Sequence, residues 1–133
     1  DFGAAATYAG WTIGGHGTIG QYNGVNGLQP KGGAPANAWL AGVQYASGPW
    51  VAGASYYVFQ SQGSPLTVGV SQRVERGLAL GTTYTLAPGL DLIASYLYGS
   101  RHQGDFNFGT GTIGAASNDV KVQLISLATF IKW

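Results

Sequence analysis

RVERGLALGTTYTLAPGLDLIASYLYGSRHQ, residues Arg73 to Gln103, decides how the rest of the chain is read. On its first arm Leu78, Leu80, Tyr84 and Leu86 alternate with Gly77, Ala79, Gly81, Thr83 and Thr85. A period of two belongs to a strand with two unlike faces. Ala87-Pro88-Gly89 then closes a hairpin, with Leu86 and Leu90 flanking the turn. This register sets Leu78 opposite Tyr98, Leu80 opposite Tyr96 and Tyr84 opposite Leu92 on one face. The other face receives Gly77 with Gly99, Gly81 with Ser95, Thr85 with Asp91, and Glu75 with Arg101, where opposite charges support the pairing. Both arms outrun the ordinary strand of about five or six residues and reach the roughly nine to eleven tilted residues that cross a bilayer.

Composition narrows the class further. Charged residues are 8% of the chain, against about 25% in a soluble domain, yet no apolar run approaches the roughly 20 residues of a spanning helix. The 23 glycines and 13% aromatics fit alternating strands whose polar half dilutes the apolar half. Hence a mean hydropathy of only +0.08, the averaging that hides barrels from hydropathy plots. A net charge of +1 with scattered basic residues leaves no footprint for nucleic acid. The absence of cysteine removes disulfide scaffolds and thiolate metal sites.

The same alternation runs through the rest of the sequence. Phe2 to Ala9 is a short strand ending at Gly10, and Trp11 to Tyr22 a second one. Asn23 to Ala36, with its glycines and prolines, is a long loop. Asn37 to Ser47 and Trp50 to Phe59 are strands joined at Ser47-Gly48-Pro49. Gln60 to Gln72 is loop-like, with Leu66 to Val70 eligible as a short strand, and Gly104 to Asn118 is a third loop. Asp119 to Trp133 is the last strand, with Trp133, Ile131, Thr129, Leu127 and Ile125 on the outward parity. Lys121 and Gln123 share that parity, so they sit at the outer headgroups unless a bulge shifts the pleat.

This is an all-β chain of seven strands whose connections alternate strictly between tight turns and long loops, the pattern of an antiparallel transmembrane β-barrel. Barrels carry aromatic girdles at both water interfaces. Tyr8, Trp11, Tyr45, Trp50, Tyr84 and Trp133 fall near tight turns or the terminus; Tyr22, Trp39, Tyr56, Phe59, Tyr96 and Tyr98 fall toward the loops. Seven strands begin on one side of a membrane and end on the other, whereas single-chain bacterial barrels normally have an even number. With no initiator methionine or signal segment, residues 1–133 are read as a single partial domain of a larger barrel.

YTLAPGLDLIASYLYGS (Tyr84 to Ser100), VQYASGPWVAGASYY (Val43 to Tyr57) and DVKVQLISLATFIKW (Asp119 to Trp133) resemble the C-terminal part of Gram-negative general-diffusion porins. The Ala-Pro-Gly-Leu turn and the aromatic terminus are the most specific features. The resemblance implies a 16-stranded barrel in the outer membrane, a homotrimer surrounded by outer-membrane lipid and lipopolysaccharide. It also implies a passive channel for small hydrophilic solutes, whose constricting loop lies outside this chain, and no enzymatic activity or cofactor. Trp133 resembles the C-terminal signal read by the barrel-assembly machinery.

The inward polar residues are then the expected pore lining: His16, Thr18, Gln44, Ser55, Tyr57, Arg73, Glu75, Thr83, Thr85, Asp91, Ser95, Arg101, Ser126 and Lys132. Arg73, Glu75 and Arg101 equally suit a salt-bridged rim. Other chemistry finds little support. Gly15 to Gly20 and Gly109 to Gly114 both spell G-x-G-x-x-G, but neither opens a helix as phosphate binding requires. Glu75 and Asp91 sit about ten residues apart along the strand direction, roughly 30 Å, too far for paired-carboxylate hydrolysis at about 5 to 9.5 Å. The serines show no evident His and Asp pairing, and Asp105 with Asp119 is the one candidate for a loop-bound calcium ion. A small complete barrel acting as an anchor or adhesin, and a barrel hydrolase, are the competing readings.

Overall fold

The computed structural model describes residues 1–20, 36–61 and 73–132. Tyr22, the first two long loops, the Leu66 to Val70 stretch and Trp133 lie outside the described residues. Seven long strands form one antiparallel sheet: β1 (Phe2–Tyr8), β2 (Trp11–Gly20), β3 (Ala36–Ser47), β4 (Trp50–Ser61), β5 (Arg73–Ala87), β6 (Leu90–His102) and β9 (Asp119–Ile131). Each pairs with its neighbour in chain order, β1-β2-β3-β4-β5-β6-β9. The sheet is open, with β1 and β9 at its two edges. Among the described residues there is no helix, and so none that crosses a membrane.

The hairpin read from the sequence forms as expected through most of its length. Leu78 pairs with Tyr98, Leu80 with Tyr96, Tyr84 with Leu92, Thr85 with Asp91 and Glu75 with Arg101. The turn differs. Ala87, not Leu86, pairs with Leu90, and the register shifts between Thr85 and Ala87. Pro88 presets the first turn position and Gly89 takes the second at φ +81°. That tight Pro-Gly turn leaves Leu86 as the extra residue of a bulge.

Turns and loops segregate to opposite edges. The turns at Ala9-Gly10, Gly48-Pro49 and Pro88-Gly89 are each tied to the next hairpin. Ala46 N donates to Gly10 O at 2.8 Å, Thr85 N to Pro49 O at 2.9 Å and Lys132 N to Gly89 O at 2.8 Å. At the opposite edge, the loop after β6 is more ordered than its glycine content predicts. It carries a two-stranded ladder, β7 (Phe106–Asn107) with β8 (Thr112–Ile113). Asn107 Oδ1 accepts from Gly109 N at 2.9 Å and closes its turn.

The apolar side chains do not meet in an interior. The buried hydrophobic residues among those described are Ala36, Val58 and Phe106, whereas Leu127 is 81% and Ile125 75% exposed. A water-soluble sheet hides one face. This sheet presents its most apolar face outward, which suits a hydrocarbon surround.

Candidate functional site

Continuous pairing from β2 to β9 fixes which side chains share a face. One transverse row reads Thr12, Gln44, Gly53, Gly81, Ser95 and Ser126; another reads Gly14, Gly42, Ser55, Ala79, Leu97 and Leu124. His16, Leu40, Tyr57, Gly77, Gly99 and Val122 form a third. Register therefore gathers His16, Thr18, Gln44, Ser55, Tyr57, Arg73, Glu75, Thr83, Thr85, Asp91, Ser95, Arg101 and Ser126 on one face. Lys132, just past β9, has the same parity and places its ammonium 5.3 Å from the ring centre of Phe130. This face is concave, with a cavity of about 570 Å3 floored by Gly42, Gly53, Ser55, Ala79, Gly81 and Ser95 and bordered by Leu40, Val51, Thr83 and Ile93.

Small residues there leave space for water, and glycine lets a large ring lie flat. A Cβ on Gly77 would collide with the Tyr57 ring, and one on Gly99 would come within 3.8 Å of its hydroxyl. Tyr57 therefore lies along the wall. The face is less polar toward β9 than the alternation suggested, because Leu97 pairs with Leu124 and Asp91 with Phe130.

At the loop edge the three charged residues divide. Arg101 Nε meets Glu75 Oε1 at 2.9 Å, with both side chains partly open to solvent. Arg73 is buried, 7% exposed, instead of open to water. Its Nε donates to Gln103 Oε1 at 3.0 Å, and its guanidinium stacks 5.6 Å from the Phe106 ring centre and 5.2 Å from Phe108. Arg101 lies 5.9 Å from Phe108. The β7–β8 hairpin thus folds over the concave face and rests on both arginines. Phe106, Phe108 and Gln103 were not among the expected site residues; two large apolar rings in an otherwise Gly/Thr/Ser loop are the signal that marks it as packed. At the far side of the sheet His16 faces Asp1 at 3.9 Å, and Thr18 donates to the same carboxylate.

The convex face holds most of the sheet's aromatic residues. Trp11 packs on Tyr45 at 4.7 Å between centroids, and Trp50 Nε1 donates to Thr82 Oγ1 at 2.5 Å. With Tyr8 and Tyr84 they form a belt at the turn edge. Trp39 against Tyr56, 5.9 Å apart, together with Tyr96 and Tyr98, makes a second belt toward the loops. Tyr45 and Trp39 are six positions apart on β3, roughly 20 Å along a strand rising about 3.3 Å per residue. Phe59 belongs to neither belt: it pairs with Ala38 and Glu75 on the concave face.

The remaining candidates do not assemble. Gly15 and Gly20 lie inside β2, and Gly109 to Gly114 spans the β7–β8 turn and β8. Asp119 bonds to His102 Nδ1 at 2.9 Å, and no group of three metal-binding side chains exists among the described residues. That His–Asp pair was not anticipated. Ser100 shares its face two residues away, yet it makes no hydrogen bond to His102 among the described residues. The backbone N–H groups alongside belong to the ladder, so neither an activated nucleophile nor an oxyanion hole is formed. β9 pairs with β6 without a register shift, so no bulge turns Lys121 or Gln123 inward.

The family model of Gram-negative porins matches residues 1–105. No curated protein and no solved structure matches the chain. The chain belongs to the Gram-negative porin family, and its place is the bacterial outer membrane.

Proposed function

We propose that this Gram-negative porin forms a water-filled channel through which small hydrophilic solutes and ions diffuse passively, without catalysis. The observation that carries the reading is the concave wall floored by Gly42, Gly53, Ser55, Ala79, Gly81 and Ser95. An eight-stranded barrel has an interior just wide enough for side chains to fill. Residues this small cannot fill it, but they suit the wall of a wider barrel.

Seven strands with two open edges leave backbone groups unpaired along β1 and β9, which hydrocarbon does not tolerate. Residues 1–133 are then a partial domain, which by resemblance to general-diffusion porins is the C-terminal portion of a closed barrel of about 16 strands. In that setting the convex face meets outer-membrane lipid and lipopolysaccharide or a neighbouring subunit of a homotrimer. The concave residues, with Glu75 and Arg101 at the loop edge, line water. The last strand delivers Trp133 to the barrel-assembly machinery. Swelling of liposomes containing the full-length protein tests the solute class. Swelling in small sugars and amino acids but not in large dextrans is expected; no swelling in any of them would contradict a diffusion channel.

A further inference from the structure

Above the upper aromatic belt, the convex face carries a row of polar residues across three strands. Arg76 on β5 pairs with Ser100 on β6, which pairs with Lys121 on β9. Strands lie about 4.8 Å apart, so the Arg76 and Lys121 backbones are roughly 10 Å apart. Their side chains border the same space. They line a concavity of about 280 Å3 with Tyr98, Val74, His102 and Asp119. Among the described residues neither Arg76 nor Lys121 has an ion-pair partner, while the nearby carboxylate of Asp119 is turned to His102.

Two unpaired cations on a lipid-facing surface are costly unless something anionic meets them. The level is informative. The next rows toward the turn edge are Leu78–Tyr98–Gln123, Leu80–Tyr96–Ile125 and Thr82–Ala94–Leu127, which descend into the apolar band. Arg76, Ser100 and Lys121 therefore stand where acyl chains give way to headgroups on the loop side. The geometry points to a binding site for one phosphate-bearing headgroup of an outer-leaflet lipid. Arg76 and Lys121 clamp the phosphate and the Ser100 hydroxyl donates to it, while the acyl chains lie over Leu78, Leu80 and Tyr96. This assignment rests on the outward orientation of the convex face argued above.

The test uses full-length protein, extracted in detergent and stripped of lipid. It is titrated with lipopolysaccharide and with the same lipopolysaccharide after enzymatic dephosphorylation. Wild-type protein should prefer the phosphorylated form. The double variant Arg76→Ala, Lys121→Ala should bind it about thirtyfold more weakly, each basic residue at a membrane surface contributing about fivefold. Its heat-modifiable barrel and ion conductance should remain. Millimolar inorganic phosphate should not displace the lipid; displacement would show an anion site with no claim on lipid. Equal affinity of the wild-type protein for the two lipid forms would overturn the site whether or not the variant folds. Loss of lipid preference with conductance intact leaves the channel reading standing, and the converse result rejects the channel alone.

Discussion

The guanidinium of Arg73 lies 5.2 Å from the ring centre of Phe108, and this stack holds the β7–β8 hairpin against the concave wall. Phe106 sets its ring edge-on to Phe108 at 5.1 Å and covers the same guanidinium from a second side. A cation–π contact is worth about 0.5 to 2 kcal/mol and an aromatic pair about 0.5 to 1.5 kcal/mol. Phe106→Ala with Phe108→Ala should therefore free the hairpin without unfolding the sheet. Hydrogen exchange should rise sharply over residues 105–117 while the heat-modification temperature stays close to that of the parent. Unchanged protection in that segment would mean that the ladder holds without the rings.

Charge at the loop edge should set ion preference. Arg73 is covered, so the groups facing water are Arg101 and its partner Glu75, 2.9 Å apart. Arg101→Glu replaces a compensated pair by two carboxylates, and the reversal potential in a salt gradient should move toward cation selectivity. Glu75→Gln should move it the other way by a smaller amount. No shift in either variant would place the pair away from the ion path.

Gly89 is constrained twice. Its φ is +81°, and a Cβ there would stand 2.5 Å from the Lys132 carbonyl oxygen, which belongs to the adjacent hairpin. Left-handed backbone costs an L-residue about 1 to 2 kcal/mol, and the clash adds to it. Gly89→Ala should lower the stability of the folded barrel by at least that much, read as an earlier midpoint in urea. Gly48, also at positive φ but with open space around it, should tolerate alanine better.

The outward positions of β9, Ile125, Leu127, Thr129 and Ile131, pair with Tyr96, Ala94, Leu92 and Leu90, and the sequence pattern continues that parity to Trp133. With Trp133→Ser in the full-length protein, unfolded chain should accumulate in the periplasm and little heat-modifiable barrel should reach the membrane. Wild-type membrane yield from that variant would separate the terminus from assembly.

Much of the sheet is legible from local signals, because a period-two pattern and a Pro-Gly turn together specify the pairing from Val74–His102 to Thr85–Asp91. The bulge at Leu86 escapes that reading, since turn geometry and not hydrophobicity decides which residue is extra. Arg73 illustrates a different limit. Its parity is plain from the sequence, but its burial depends on Phe106 and Phe108 more than thirty positions away, whose docking no local pattern encodes. The Arg76–Ser100–Lys121 row is hidden for the same reason: three isolated polar residues become one cluster only when three strands are laid side by side.

Single-channel recording of the full-length protein in a planar bilayer tests the central claim most directly. Stepwise, voltage-independent current at low potential is the expected result, as the small residues Gly42, Gly53, Ala79, Gly81 and Ser95 at the floor of the concave face leave room for an aqueous path. Incorporated, heat-modifiable protein that passes no current above leak would contradict a channel and favour a membrane anchor.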